Sequence, residues 1–321
     1  MTSSRPRPPF DPELSAVLAV LGDQLPDLTP ETIRSFRAQA VNPMPLTEQL
    51  LGEHGVTRRD LAVPGFLGDD MLMTVLARAD HIGSGPAIYH LHGGGMIAGD
   101  RLLGLAPMLP WIVEHDAVLV SVEYRLAPEF PDPYPVEDCY AGLLWIAANA
   151  RQLGLDPDRI VVAGASAGGG LAAGIALLAR DRGGPPLAGQ LLLCPMLDDR
   201  DQSVSTEQYD TGTWVRAHNR VGWQALLGER RGTGTVSPYA APARETDLTG
   251  LPPAFIDCGS AELFRDEAVG YASGLWAAGV QCELHVWAGG FHGFDLLAPH
   301  TAVSQAAIAA RDSWVTRHLA T

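Results

Sequence analysis

Residues 164–170 read GASAGGG, between the apolar run RIVVA and the helical run LAAGIALLAR. Ser166 with Gly164 and Gly168 fits G-x-S-x-G, in the strand-before, helix-after setting that gives the pattern its meaning. In such a turn the serine backbone is strained, and a Cβ at either glycine would crowd the flanking elements. The hydroxyl then projects above the sheet edge at a helix N-terminus, where developing negative charge is favoured. The chemistry on offer is nucleophilic attack on an acyl carbon. A plain glycine-rich turn and a phosphate cradle are the competing readings. The cradle lacks G-x-G-x-x-G and a P-loop lysine.

The stretch HLHGGGMIAGD, residues 90–100, places three glycines directly after an apolar strand. Their N–H groups are unshielded, and acyl transfer needs such donors because its tetrahedral intermediate carries a full negative charge on oxygen. A G-x-S-x-G about 70 residues later completes the combination expected of an α/β-hydrolase. The serine needs a base. Of the ten histidines, His292 stands in the glycine-rich loop WAGGFHGFDLL, after the last strand and before the last helix. That place fits the chain order serine, acid, histidine. His92 is expected to brace its loop, and His285 lies within a strand. The acid belongs in the loop after PPAFIDC, where Glu262, Asp266 and Glu267 are candidates and the residue nearest the strand end is favoured. Asp257, inside the strand, reads as structural. No HExxH or other close ligand spacing points to a metal. Cys139, Cys194, Cys258 and Cys282 form no CxxC pair and read as free thiols, with Cys–His catalysis a remote alternative.

The elements that must position these residues follow a clear rhythm. Residues 1–55 read as helical, with PELSAVLAVLGDQL stopping near Pro26 and a second helix opening at Thr29 and Pro30. From about residue 56, TRRDLAVPG and MLMTVLARA read as two strands joined by FLGDD. Strands in PAIYHLH, AVLVSVEY, RIVVAGA, LAGQLLLCP, PPAFIDCG and CELHVWAG then alternate with helices. This predicts an α/β fold: a mostly parallel central sheet with helices on both faces. Residues 199–245 interrupt the rhythm with helical stretches and no strand signal. The organisation expected is residues 1–55 as an N-terminal cap part, 56–198 as core, 199–245 as a cap insertion and 246–321 as core.

The chain has 321 residues, 46% hydrophobic and 18% charged, enough for a large core. A net charge of −15 argues against nucleic-acid and anionic-membrane partners. No apolar run of 18 residues suggests a membrane span, and the N-terminus lacks the apolar region of a signal peptide. A cytoplasmic protein is expected.

With HGGG, VEYRLAPE, GASAGGG, CPMLD, GSAELFRDE and FHGF in order from about residue 60 onward, the chain resembles the hormone-sensitive-lipase family of α/β-hydrolases, the bacterial HGGG esterases. The resemblance implies a helical cap built from the N-terminus and the 199–245 insertion. It also implies an oxyanion hole from the N–H groups of Gly94, Gly95 and Ala167, a preference for short acyl chains, and often a homodimer along the last strand. It selects Glu262 as the acid, although the family usually has aspartate there, and Ala165 stands where relatives often carry aspartate. The expected function is a serine carboxylic-ester hydrolase acting on a small-molecule ester without a cofactor. Ser166 is the nucleophile, His292 the base, and Met96 and Trp214 are candidate pocket residues. Hydrolysis of lactones, carbamates or amides is the alternative chemistry. A non-catalytic small-ligand receptor is the alternative of another class, disfavoured by the presence of His292.

Overall fold

The structure, a computed structural model, describes residues 5–21, 28–39 and 42–319. Its frame is an eight-stranded sheet in the order β1-β2-β4-β3-β5-β6-β7-β8. The strands are β1 (Val56–Pro64), β2 (Asp70–Arg78), β3 (Gly85–Leu91), β4 (Val118–Val122), β5 (Leu155–Ala165), β6 (Gly189–Leu193), β7 (Ala254–Gly259) and β8 (Cys282–Trp287). The hairpin β1–β2 and the β2–β4 pair are antiparallel, and every other pairing is parallel. The α/β fold expected from strand–helix alternation is therefore the fold found.

All residues of β3, β4, β6 and β7 are buried. This is why they read as continuous apolar runs: a parallel sheet is covered on both faces. Along β3, Tyr89 and Leu91 face one core layer while Ile88 faces the other, as the two-residue period of a strand requires. The first layer is packed by α5 (Tyr134–Ala148), α7 (Ala167–Arg182) and α10 (Arg265–Ala277). The second holds α3 (Glu48–His54), α4 (Leu109–His115) and α12 (Ala302–Leu319).

α3 has the signals of a self-contained helix. Thr47 Oγ1 accepts from Leu50 N–H at 3.1 Å at its start, and Gly55 closes it with a φ of 62°. It packs on β1 and α4, in a layer of the sheet rather than above it. Residues 1–55 thus divide. α1 (Pro12–Leu21) packs Leu14 against Phe291, Phe294 and Ala307, beside the loop that carries His292. α2 is Ile33–Gln39. It begins three residues after Pro30, because Thr29 and Thr32 bond each other in a preceding turn. The stop expected near Pro26 lies outside the described residues. The 199–245 interruption contains α8 (Val204–Gln208) and α9 (Arg216–Leu227) and no strand among the described residues. The helix read across LGLAPMLPWIVEH is α-helical only over α4. Pro107 and Pro110 confine the preceding turn to a short 3₁₀ segment. No helix among the described residues is long and apolar enough to cross a membrane.

Candidate active site

Ser166 stands between β5 and α7 with φ 58° and ψ −121°, a conformation that L-residues rarely hold. Its neighbours enforce the bend. A Cβ on Gly164 would meet Gly168 O at 2.2 Å, and one on Gly168 would meet Leu91 O at 1.9 Å. Ser166 N–H donates to Leu193 O at 2.8 Å, and its carbonyl accepts from Gly170 and Met196. The turn is therefore tied to β6 and the segment after it, and Ser166 stands directly before the first turn of α7.

His292 occupies the loop between β8 and α11 (Phe294–Leu297), its side chain only 12% exposed. Ser166 Oγ lies 3.0 Å from Nε2, and Glu262 Oε2 lies 2.6 Å from Nδ1. Glu262 sits in the turn after β7, fully buried, and its other oxygen accepts from Gly259 N–H at 2.8 Å. The structure thus brings together Ser166, His292 and Glu262. The other two acid candidates lie elsewhere. Asp266, in the first turn of α10, accepts from Ser205 N–H at 2.8 Å and from Arg265. Glu267 is buried against Leu197 N–H at 2.7 Å. Asp257 is buried in β7, bound to Arg311 and Trp287.

Burial by itself would lower the pKa of His292. Cys194 and Glu262 act the other way, and the net effect is a pKa raised well above 6.5. Burial also raises the Cys194 pKa, so that group is a neutral thiol around pH 7. The lasting charge beside the imidazole is then the Glu262 carboxylate, which favours the imidazolium. Cys194 follows β6 with a φ of 37°, and its Sγ lies within 4.8 Å of ligand atoms of both His292 and Glu262. In the sequence it reads only as a free thiol. Its place is its signal, directly after a sheet strand that neighbours the strand leading to Ser166.

The loop after β3 supplies the remaining pieces. Gly94 and Gly95 hold φ of 116° and 64°. A Cβ on Gly94 would meet Ala98 O at 2.0 Å, and one on Gly95 would strike the Trp214 ring at 2.4 Å. Among the described residues no turn, loop or side-chain hydrogen bond uses the N–H of Gly94, Gly95 or Ala167. His92 braces this loop. Its ring stacks on Tyr124 at 4.1 Å, its Nδ1 meets Gly93 O, and Tyr124 Oη donates to its carbonyl. A cavity of about 300 Å³ collects Ser166, His292, Gly93–Gly95, Phe36 and Trp214. Met96, expected at the pocket, is instead 1% exposed in the core, its Cε 3.8 Å from where a Cβ on Gly170 would stand. It holds a positive φ of 65°, and with Ile97 it belongs to the core cluster while Gly95 lines the cavity. Thr213, beside Trp214, was not anticipated. Its Oγ1 donates to His292 O at 2.5 Å and ties the insertion to the histidine loop.

Residues 88–296 match a family model described as the α/β hydrolase fold. The esterase LipI of Mycobacterium tuberculosis is 41% identical over 205 residues, 62% of this chain and 62% of its own length. The chain therefore aligns with less than two thirds of LipI. Carboxylesterase NlhH of the same organism is 40% identical over 227 residues, 68% of this chain and 70% of the relative. Among solved structures, a bacterial heroin esterase superposes with a TM-score of 0.87 at 40% identity, over 97% of this chain and 98% of its own. An esterase from Pyrobaculum calidifontis gives 0.82 at 29% identity, over 96% and 98%.

Proposed function

The chain belongs to the α/β-hydrolase family, among its hormone-sensitive-lipase-like esterases, and on that footing we propose that it hydrolyses carboxylic esters with short acyl chains through Ser166, His292 and Glu262. The observation that carries this reading is the continuous relay from Ser166 Oγ to His292 at 3.0 Å and on to Glu262 at 2.6 Å. A carboxylate at Nδ1 holds the imidazole proton there, which leaves the Nε2 lone pair to accept from the serine hydroxyl.

In the proposed cycle Ser166 Oγ attacks the ester carbonyl carbon while Nε2 takes its proton. The carbonyl π electrons move to oxygen, and the N–H groups of Gly94, Gly95 and Ala167 hold the resulting oxyanion. Collapse of this intermediate breaks the bond to the alcohol oxygen, which leaves with the proton from His292. Water, deprotonated by the same nitrogen, then attacks the acyl-serine, and the acid departs. Every proton is carried by His292, so no cofactor enters.

The short-chain preference rests on the small volume, about 300 Å³, of a cavity lined by Phe36 and Trp214, and on family resemblance. Four free cysteines suit a reducing compartment, which supports a cytoplasmic setting. A homodimer along the edge strand β8 is part of the same reading, with sedimentation as its check. A panel of p-nitrophenyl esters tests the substrate class. The expected result is highest kcat/KM on acyl chains of a few carbons. Equal or higher values at about twelve carbons would overturn the length preference, and faster turnover of lactones or amides would overturn the ester assignment.

A further inference from the structure

The groups of the site stand on loops that leave different strands. Gly94 and Gly95 follow β3, Ser166 follows β5, Glu262 follows β7 and His292 follows β8. The sheet fixes where these loops begin but not how far apart their tips stand. One short stretch of the insertion, residues 205–214, touches three of them.

Ser205 Oγ donates to Leu263 O at 2.7 Å, and Tyr209 Oη reaches both Ser260 O and Pro8 O at 3.2 Å. Positions 260 and 263 bracket Glu262. Thr213 Oγ1 donates to His292 O at 2.5 Å. Next to it, the Trp214 ring covers Gly95 so closely that a Cβ there would come within 2.4 Å. The N-terminal stretch backs this arrangement. Arg7 Nη1 donates to Thr211 Oγ1 at 2.6 Å, and Asp11 N–H donates to Gly289 O at 3.0 Å, in the loop of His292.

Thr213 holds the histidine by its backbone. A shift of His292 O carries the ring with it, and the ring must keep 3.0 Å to Ser166 Oγ and 2.6 Å to Glu262 Oε2. A misplacement of about 1 Å, caused by a change away from the reacting atoms, can slow turnover about 10²-fold. Thr213 also lines the cavity, so a role in placing His292 must be separated from a role in binding substrate. Resting on the hydrolase reading, we propose that residues 205–214 form a clamp that sets the distances among the loops of the site, and that Thr213 is its positioning residue for His292.

Thr213→Val keeps the shape of the side chain and removes its hydroxyl, whereas Thr213→Ser keeps the hydroxyl. With p-nitrophenyl acetate, Thr213→Val is expected to lower kcat about tenfold and to leave KM within about twofold, a loss confined to the reacting complex. Thr213→Ser is expected to recover kcat to within about twofold of wild type. The pH profile gives a second readout. Cys194 and Glu262 both stand beside the imidazole, and a looser contact with the Glu262 carboxylate moves the apparent pKa of kcat/KM downward. The expected displacement in Thr213→Val is at least about half a pH unit. Wild-type kcat and pKa in folded Thr213→Val overturn the proposal. So does a change confined to KM, or a Thr213→Ser enzyme as slow as Thr213→Val. If Thr213→Val does not fold, Tyr209→Phe decides, with kcat expected to fall at least about threefold. Unchanged kcat in that variant overturns the clamp. Failure of the wild-type protein to cleave any ester overturns the hydrolase reading itself, a distinct outcome from ester cleavage that is indifferent to Thr213.

Discussion

Glu262 and Asp266 are separated by one helical turn of sequence and face different partners. Glu262 Oε2 lies 2.6 Å from His292 Nδ1, whereas Asp266 accepts from Ser205 N–H at 2.8 Å. The distinction arises at the end of β7. Glu262 falls in the turn, where Gly259 N–H orients its carboxylate, and Asp266 falls in the first turn of α10. A carboxylate there complements the helix dipole.

Replacing each carboxylate by its amide separates the two roles. Glu262→Gln is expected to lower kcat by roughly 10²–10⁴, because the imidazole loses the group that fixes its tautomer and stabilises its charge. Asp266→Asn is expected to keep kcat within a few-fold and to cost about 1 kcal/mol of stability. Steady-state kinetics and thermal melts of both variants decide this. The reverse pattern in kcat would make Asp266 the acid.

The raised pKa of His292 sets the pH response. Catalysis needs the neutral imidazole, so kcat/KM should fall on acidification through a single ionisation displaced above the ordinary 6.5. The stability linkage has the opposite slope. A group whose folded pKa is raised stabilises the fold fully below its unfolded pKa, and this contribution is lost as pH rises through the folded pKa. Activity should therefore rise across the interval in which the stabilisation from His292 declines. A pH–rate profile alongside urea melts checks both. An apparent pKa below 6.5 contradicts the prediction.

Gly94 tests the proposed role of its loop in holding the oxyanion. Its φ of 116° and the 2.0 Å approach of a Cβ to Ala98 O mean that alanine must displace backbone. Gly94→Ala is expected to lower kcat by about 10²–10³, the scale of losing one oxyanion donor. Near-wild-type kcat in the folded variant would remove this loop from the chemistry.

Arg311 tests the core beneath the site. It is 7% exposed, between the buried Asp257 and Asp295. Arg311→Met leaves Asp257 buried without its cation and should cost roughly 3–5 kcal/mol. A denaturant melt showing a loss under about 1 kcal/mol would contradict that role.

What could be read from the chain follows from where the physics is local. The serine turn announces itself because the backbone bend excludes a Cβ at Gly164 and Gly168, and glycine is the only residue without one. The loop of His292 is legible for the same reason, being flanked by glycines at positions 289, 290 and 293. Burial of β3, β4, β6 and β7 on both faces writes itself as apolar runs. Features set by tertiary contacts are not written in any local pattern. Met96 points into the core through one positive φ, α3 joins a sheet layer instead of the cap, and Cys194 meets His292 across a long sequence separation. His90 and Ser121 face each other on neighbouring strands, and only the β3–β4 register pairs them.

The proposed cycle requires that Ser166 becomes covalently acylated during turnover. Its most direct test is intact-protein mass spectrometry after exposure to a p-nitrophenyl alkylphosphonate, read beside ester hydrolysis by the same samples. Wild-type protein is expected to gain one phosphonyl group, mapped to Ser166, and to lose activity in step. Ser166→Ala should gain none and should hydrolyse esters more slowly by a factor on the order of 10⁶. Labelling at another residue, or wild-type turnover in folded Ser166→Ala, would contradict it.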